Sequence, residues 1–204
     1  MQYAVIFFFQ RQAERKYMRL FIALDLPDAV RRALDELIAQ LKPKSRSARW
    51  VRPESMHLTL KFIGNIAGEK LDAIRAALGR IRSAQPLDLH FCALGFFPDE
   101  FKPRVIWAGV AASANLFEIA AAIEQTLEPL GFPRESRAFV PHLTLARINS
   151  TKGIENLVRA ADALKSYEFG SARESEFHLF ESVLKRSGAE YKKLASYSFV
   201  EGAA

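Results

Sequence analysis

Apolar positions along the chain repeat with two different periods, which predicts both helices and strands. Between Asp28 and Pro43 they recur every three or four residues, the spacing of one helical face. Between Leu87 and Ala93 they alternate with polar positions, the spacing of a half-buried strand. The helical pattern recurs near 68–82, 113–127 and 153–164, and strands are predicted near 19–26, 50–51, 56–63, 87–93, 105–110, 139–148, 167–184 and 191–200. Few helices among many strands favour an α+β fold over a doubly wound parallel sheet.

One tetrapeptide, His-Leu-Thr-Leu, occurs twice in strand-like contexts, at 57–60 and at 142–145. Side chains alternate between the two faces of a strand, so in each copy the histidine and the threonine share one face and the leucines share the other. The two copies use two of the four histidines in the chain. We therefore predict two similar lobes of antiparallel sheet with helices outside, each lobe placing one motif strand at a shared central cleft.

Two histidines that face each other across a cleft suit general acid–base catalysis, because imidazole titrates near neutral pH. Thr59 and Thr144 would add hydroxyl donors for the oxygens of a phosphate. Arg147 could add a bidentate contact to the same phosphate. In a regular strand, however, Arg147 points away from His142, and it reaches the site only if the strand bends, bulges or ends just before it. Phe62 stands at the corresponding position after the first copy.

Composition and the remaining residues bear on the partner, the cellular compartment and the need for a metal or cofactor. The net charge of +6 gives weak support for an anionic partner such as RNA. The single cysteine, Cys92, excludes an internal disulfide and fits a reducing cytoplasm. No segment is long enough to span a membrane. His90 and His178 lack a companion threonine, so we interpret both as ordinary strand residues. Two histidines without a repeated carboxylate or cysteine do not complete a zinc site, so we predict neither a metal nor a cofactor.

The paired motifs resemble the defining pair of the 2H phosphoesterase superfamily. More narrowly, the chain resembles the RNA 2′,3′-cyclic phosphodiesterases, also called 2′–5′ RNA ligases (LigT-like). The similarity runs from Met18 and includes the segments 18–27, 50–60, 104–107, 141–147 and 181–191. Residues 1–17 depart from the family pattern, so we expect an N-terminal extension outside the fold and a single bilobal domain over 18–204. The alternative for the extension is an extra edge strand.

The resemblance implies metal-independent hydrolysis of 2′,3′-cyclic phosphate ends of RNA or nucleotides to a 2′-phosphate. In the reverse direction it implies formation of a 2′–5′ linkage. Carried onto this sequence, His142 would be the proton acceptor for water and His57 the proton donor to the departing 3′-oxygen. The phosphate would be bound by Thr59, Thr144 and Arg147.

Four aromatic side chains are candidates for stacking on the base: Trp50, Phe62, Phe96 and Phe97. We expect RNA or a nucleotide with a cyclic phosphate as the partner, no membrane association, and a monomer. Two other functions remain open at this point. One is an RNA-binding module with little catalysis. The other is a 2H phosphodiesterase acting on 2′–5′ oligonucleotides or on an ADP-ribose cyclic phosphate.

Overall fold

The computed structural model describes residues 17–185 and 188–200, and this part of the chain forms nine strands and four α-helices. The strands are β1 (Tyr17–Leu24), β2 (Ala48–Trp50), β3 (Leu58–Ala67), β4 (Leu87–Phe97), β5 (Val105–Ala112), β6 (His142–Ile148), β7 (Glu168–Glu174), β8 (Glu176–Lys185) and β9 (Gly188–Ser198). The helices are α1 (Asp28–Leu41), α2 (Leu71–Leu78), α3 (Ala114–Leu127) and α4 (Glu155–Asp162). None of the described helices is long and apolar enough to cross a membrane.

The strands form two antiparallel sheets, which confirms the predicted α+β fold of two lobes. The first sheet has the order β3-β1-β8-β9 and the second has the order β2-β6-β5-β4-β7. The two sheets do not correspond to the two halves of the sequence. Strand β2 lies between β1 and β3 in the chain but pairs with β6 of the second sheet. Strands β8 and β9, at the other end of the chain, complete the first sheet.

Two of the helices, α1 and α3, also pack against the sheet that they do not follow in the chain, and these contacts join the two sheets around one core. Helix α1 follows β1 of the first sheet but packs against β7 of the second. Helix α3 follows β5 of the second sheet but packs against β3 of the first. A single cluster of buried apolar side chains therefore runs through both sheets. The two sheets therefore depend on each other to bury their apolar faces.

Several element boundaries differ from the sequence prediction. The strand predicted over 167–184 is two strands, β7 and β8, in different sheets. Strand β4 continues to Phe97, four residues past the predicted end of this strand at Ala93. The register shift near Ala93, whose φ is +65°, takes up the irregularity there. The predicted N-terminal extension falls on residues 1–16, outside the described residues, except for its last residue, Tyr17, which begins β1.

Candidate active site

His57 lies directly before β3, with its imidazole among the aromatic rings of the first sheet. The Phe21 ring stacks on it at a centroid distance of 4.5 Å. The Tyr191 ring meets it edge-on at 5.0 Å. Phe180 extends the stack behind Phe21, at 5.2 Å. The sequence offered no signal for this aromatic surround, because its members come from strands far apart in the chain.

This environment controls the charge of His57. Burial lowers its pKa from the ordinary value of 6.5 to about 4. The negative charge of Asp25 and a hydrogen bond to the Ser55 backbone act in the opposite direction, and the positive charge of Arg31 acts in the same direction as burial. The imidazole of His57 is therefore neutral at pH 7.

Arg31 fixes the loop that leads to His57. Its Nη1 donates to the carbonyl of Pro53 at 2.7 Å and to the carbonyl of Met56 at 3.1 Å. Its Nη2 lies 3.7 Å from a carboxylate oxygen of Asp25. Helix α1 thereby holds the peptide bond that enters His57. The sequence analysis missed this role, because an arginine on the polar face of a helix carries no local signal.

His142 is the first residue of β6, in the second sheet, and is partly buried. Its Nδ1 donates to the carbonyl of Val140 at 2.7 Å. Since a carbonyl only accepts, this bond selects the ring form that carries its proton on Nδ1 and leaves Nε2 with a free lone pair. The ring of Phe97 packs edge-on at 4.9 Å. The arrangement leaves Nε2 able to accept a proton.

Both motif strands carry a one-residue bulge at the same place in the motif. The pairing of β3 with β1 shifts register at Leu60, directly after Thr59. The pairing of β6 with β5 shifts register at Leu145, directly after Thr144. Each bulge inserts one extra residue and displaces the alternation of the strand that follows. The similarity of the two motifs therefore extends from sequence to backbone shape.

The bulges turn the residue three places after each threonine toward the site. In both strands two consecutive buried residues follow the threonine, and the next residue is exposed: Phe62 in β3 and Arg147 in β6. Because the alternation resumes one residue late, these two side chains share the face of Thr59 and Thr144. The Phe62 ring also lies 6.2 Å from that of Phe21. The strand thus has a bulge between His142 and Arg147, which is one of the irregularities that the sequence analysis required for Arg147 to reach the site.

The predicted stacking residues of the second sheet, Trp50, Phe96 and Phe97, do not share one face of it. Phe97 contacts His142 and is on the site face. Phe96 and Trp50 each pair with a fully buried residue and pack against the core. This placement argues against base stacking at Phe96 and Trp50, so we leave both out of the proposed site. The alternation of β2 and β4 explains the outcome, since neighbouring residues point to opposite faces.

Trp107 is a site residue that the sequence analysis missed. Its ring lies 6.5 Å from His142 and 5.2 Å from Phe97. The indole lies against Gly95, where any Cβ would stand 2.2 Å from it. This glycine thus makes room for an aromatic ring beside His142.

The two motif strands belong to different sheets but lie next to each other, with Cα atoms of β3 and β6 within 8 Å. Each sheet thus supplies one histidine, one threonine and one exposed residue after a bulge. Within 17–185 and 188–200, no group of three or more His, Cys, Asp or Glu side chains is placed to hold a metal ion.

The fold and the candidate site define a two-lobed α+β protein in which each sheet carries one His–Thr pair. The chain belongs to the LigT-like phosphoesterase family, whose model matches residues 24–107 and 110–191. It is 33% identical over 180 residues to a protein of Archaeoglobus fulgidus named RNA 2′,3′-cyclic phosphodiesterase, covering 87% of this chain and 98% of that one. A protein of the same name from Methanocaldococcus jannaschii is 34% identical over 183 residues, or 88% and 100% of the two chains.

Solved structures show the same fold. A protein of Thermus thermophilus named TT0787 superposes with a TM-score of 0.75 at 31% identity, covering 90% of this chain and 100% of that one. The LigT protein of E. coli, in a crystal structure of its complex with 3′-AMP, superposes with a TM-score of 0.74 at 27% identity, covering 91% and 99% of the two chains.

Proposed function

We propose that this protein hydrolyses 2′,3′-cyclic phosphate ends of RNA or nucleotides to 2′-phosphates. The observation that carries the proposal is the duplicated site: a histidine, a threonine and a bulge at matched positions in two strands from two sheets. The family membership and the names of the relatives support the same activity. A structural role for the motifs would not require polar side chains on the cleft face of both strands.

In the proposed reaction, His142 accepts a proton from water through Nε2 as the water oxygen bonds to phosphorus. The bond from phosphorus to the 3′-oxygen breaks, and His57 donates a proton to that oxygen. The product carries a 2′-phosphate, and proton exchange with solvent restores both rings. When a 5′-hydroxyl takes the place of water in the same step, its oxygen bonds to phosphorus and its proton goes to His142. The bond from phosphorus to the 3′-oxygen again breaks, His57 protonates that oxygen, and a 2′–5′ linkage forms. The assignment of donor and acceptor follows from the family resemblance.

Three further side chains would bind the phosphate and stabilise its developing charge: Thr59, Thr144 and Arg147. The anion also matters for His57, whose ring is neutral at pH 7 on its own. A phosphate close to the ring favours the protonated form, so His57 would gain its proton as the substrate binds. Phe62 is exposed and Phe97 is partly exposed on the site face, and we propose these two rings as contacts for the base and ribose.

The direct test is incubation with a 2′,3′-cyclic nucleotide, with the product identified as a 2′- or a 3′-phosphate by chromatography. We expect the 2′-phosphate, and we expect full activity in the presence of a chelator. His57→Ala and His142→Ala should each lower kcat by about 10²–10⁴, the contribution of one general acid or base. His90→Ala is the matched control, because His90 is a partly exposed strand histidine outside both motifs.

Equal turnover by the wild type and both motif variants would refute the proposal. Tight binding of RNA with no turnover of cyclic phosphates or 2′–5′ linkages would instead support the alternative of an RNA-binding module. Circular dichroism of each variant shows whether the fold survives, so that a lost activity is assigned to the missing imidazole.

A further inference from the structure

A second arginine stands beside Arg147 on the site face of the second sheet. Arg49 in β2 pairs directly with Arg147 in β6. Residues directly opposite each other in antiparallel strands carry their side chains on the same face. The next residue of β2, Trp50, packs against the core, as alternation requires. Arg49 is therefore directed to the face that carries Arg147, His142 and Thr144.

This pair of like charges has no compensating partner in the described part of the chain. Both side chains are exposed, and within 17–185 and 188–200 neither guanidinium forms an ion pair or a hydrogen bond. Like charges directly opposite each other destabilise a sheet. An anion between or beside the two guanidinium groups would relieve this repulsion, and planar arginines suit phosphate oxygens.

The far edge of the same sheet differs in charge. A cavity of about 560 Å³ lies there, lined by residues of β4, β5 and β7. Its arginine, Arg173, lies 3.9 Å from Asp88, and His90 lies 3.5 Å from Glu168. The positive groups at that edge therefore have carboxylate neighbours. Only the β2 edge of this sheet face, among the described residues, presents two arginines side by side with no carboxylate partner.

We propose that Arg49 binds the phosphodiester that precedes the terminal nucleotide, so that the protein prefers RNA ends to free cyclic nucleotides. The inference rests on the proposed function. Strand β2 is the edge strand, so Arg49 lies one strand spacing, about 4.8 Å, outside Arg147. With the cyclic phosphate at Arg147, the chain leaves the cleft across β2 and places its next phosphate at Arg49. A free cyclic nucleotide has no second phosphate to occupy that position.

The test compares three substrates on wild type, Arg49→Gln and Arg49→Lys. The substrates are 2′,3′-cyclic AMP, the same nucleotide with an added 5′-phosphate, and a triadenylate with a 2′,3′-cyclic end. We expect Arg49→Gln to lower kcat/KM about tenfold for the two substrates that carry a second phosphate, as for the loss of one charge-assisted hydrogen bond. The change for cyclic AMP should stay below about twofold. Arg49→Lys should recover part of the loss, since it keeps the charge without the bidentate geometry.

Two matched variants define the specificity of the effect. Arg147→Gln should lower kcat/KM for all three substrates, because all contain the cyclic phosphate. Arg173→Gln, at the far edge of the same sheet face, should leave all three unchanged. A loss of equal size for cyclic AMP and the triadenylate in Arg49→Gln would overturn the proposal, because Arg49 would then share the cyclic phosphate. The absence of any loss would overturn it as well.

A binding measurement separates this proposal from the proposed function. Fluorescence anisotropy with a labelled oligoadenylate ending in a 2′-phosphate requires no turnover. Each phosphate contact to a single strand contributes about 0.7 to the slope of log K against log salt. We expect Arg49→Gln to lower the slope by about that amount. If wild type binds the oligonucleotide but turns over no cyclic substrate, the proposed function fails, and the slope alone decides the role of Arg49: an unchanged slope refutes it.

Discussion

The pKa of His57 depends on the side chains around it more than on its place in the motif. The rings of Phe21 and Tyr191 remove it from water, and this lowers its pKa to about 4. His142 instead has its Nδ1 bonded to a carbonyl. The sequence predicted both histidines as the site because the tetrapeptide repeats. It did not predict their difference, since Phe21 and Tyr191 lie 36 residues before and 134 residues after His57.

The pH dependence of hydrolysis should report the environment of His57. The pH profile of kcat/KM reflects the free protein, and the pH profile of kcat reflects the bound complex. In each bell-shaped profile, the lower pKa of the acid–base pair sets the rising limb. Because the free pKa of His57 is lowered to about 4, the rising limb of kcat/KM should lie near pH 4. The rising limb of kcat should lie at higher pH, because a bound phosphate anion favours the protonated ring. Initial rates from about pH 3.5 to 9, over the range in which the protein stays folded, measure both limbs.

Asp25→Asn gives an independent check on this assignment. The carboxylate of Asp25 raises the pKa of His57, so its removal should move the rising limb of kcat/KM to still lower pH. Coincident limbs for kcat and kcat/KM, both near the ordinary histidine value of 6.5, would contradict the assigned environment of His57.

At the scale of the element, the matched bulges decide which side chains reach the site. The sequence predicted both motif strands, but a regular strand would have placed Arg147 on the wrong face. The hydrophobic pattern of the sequence does not predict the bulge in β3, because the bulge places a lysine, Lys61, at a buried position. Lys61 Nζ pairs with Glu124 of α3 and donates to the carbonyl of Pro133 at 2.9 Å. A buried lysine has a satisfied partner only in the folded structure, so hydrophobic periodicity assigns it to the surface.

The Lys61–Glu124 pair should contribute to stability and to the alignment of the two motifs. Glu124 also accepts a weak bond from the backbone of Glu135, in the segment that leads to His142. Lys61→Met leaves a carboxylate with little solvent and no cation, so we expect a loss of about 3 kcal/mol in the free energy of unfolding. Adding Glu124→Leu should recover much of that loss. Urea denaturation of the two single variants and the double variant measures the coupling.

Lys165→Met provides the surface comparison for this experiment. Lys165 pairs with Asp162 in an exposed i,i+3 arrangement, for which a change below about 0.5 kcal/mol is expected. A Lys61→Met protein as stable as the Lys165→Met protein would show that the buried pair does not hold the two lobes together.

At the scale of the whole molecule, the chain crosses between its two sheets. The fold class and the number of helices could be predicted, because both follow from local periodicity. The exchange of β2 and of the helices between the lobes could not, because it depends on contacts between segments far apart in the chain. The segment 167–184 shows the limit, since the single strand predicted there is two strands in different sheets. The consequence is that the two sheets, each with one motif strand, share one apolar core.

A ligand that contacts both sheets should therefore stabilise the whole fold. With a 2′-nucleotide monophosphate at one hundred times its Kd, linkage predicts about 2.7 kcal/mol of added stability. For a chain of this size this corresponds to a rise of about 5–10 °C in Tm, measurable by differential scanning calorimetry. At the same fixed ligand concentration, Thr59→Val on the first sheet and Arg147→Gln on the second should each reduce the rise, whereas Arg173→Gln should not. If Thr59→Val leaves the rise in Tm intact, the phosphate is bound by the second sheet alone, and Thr59 of the first sheet does not contribute to its binding.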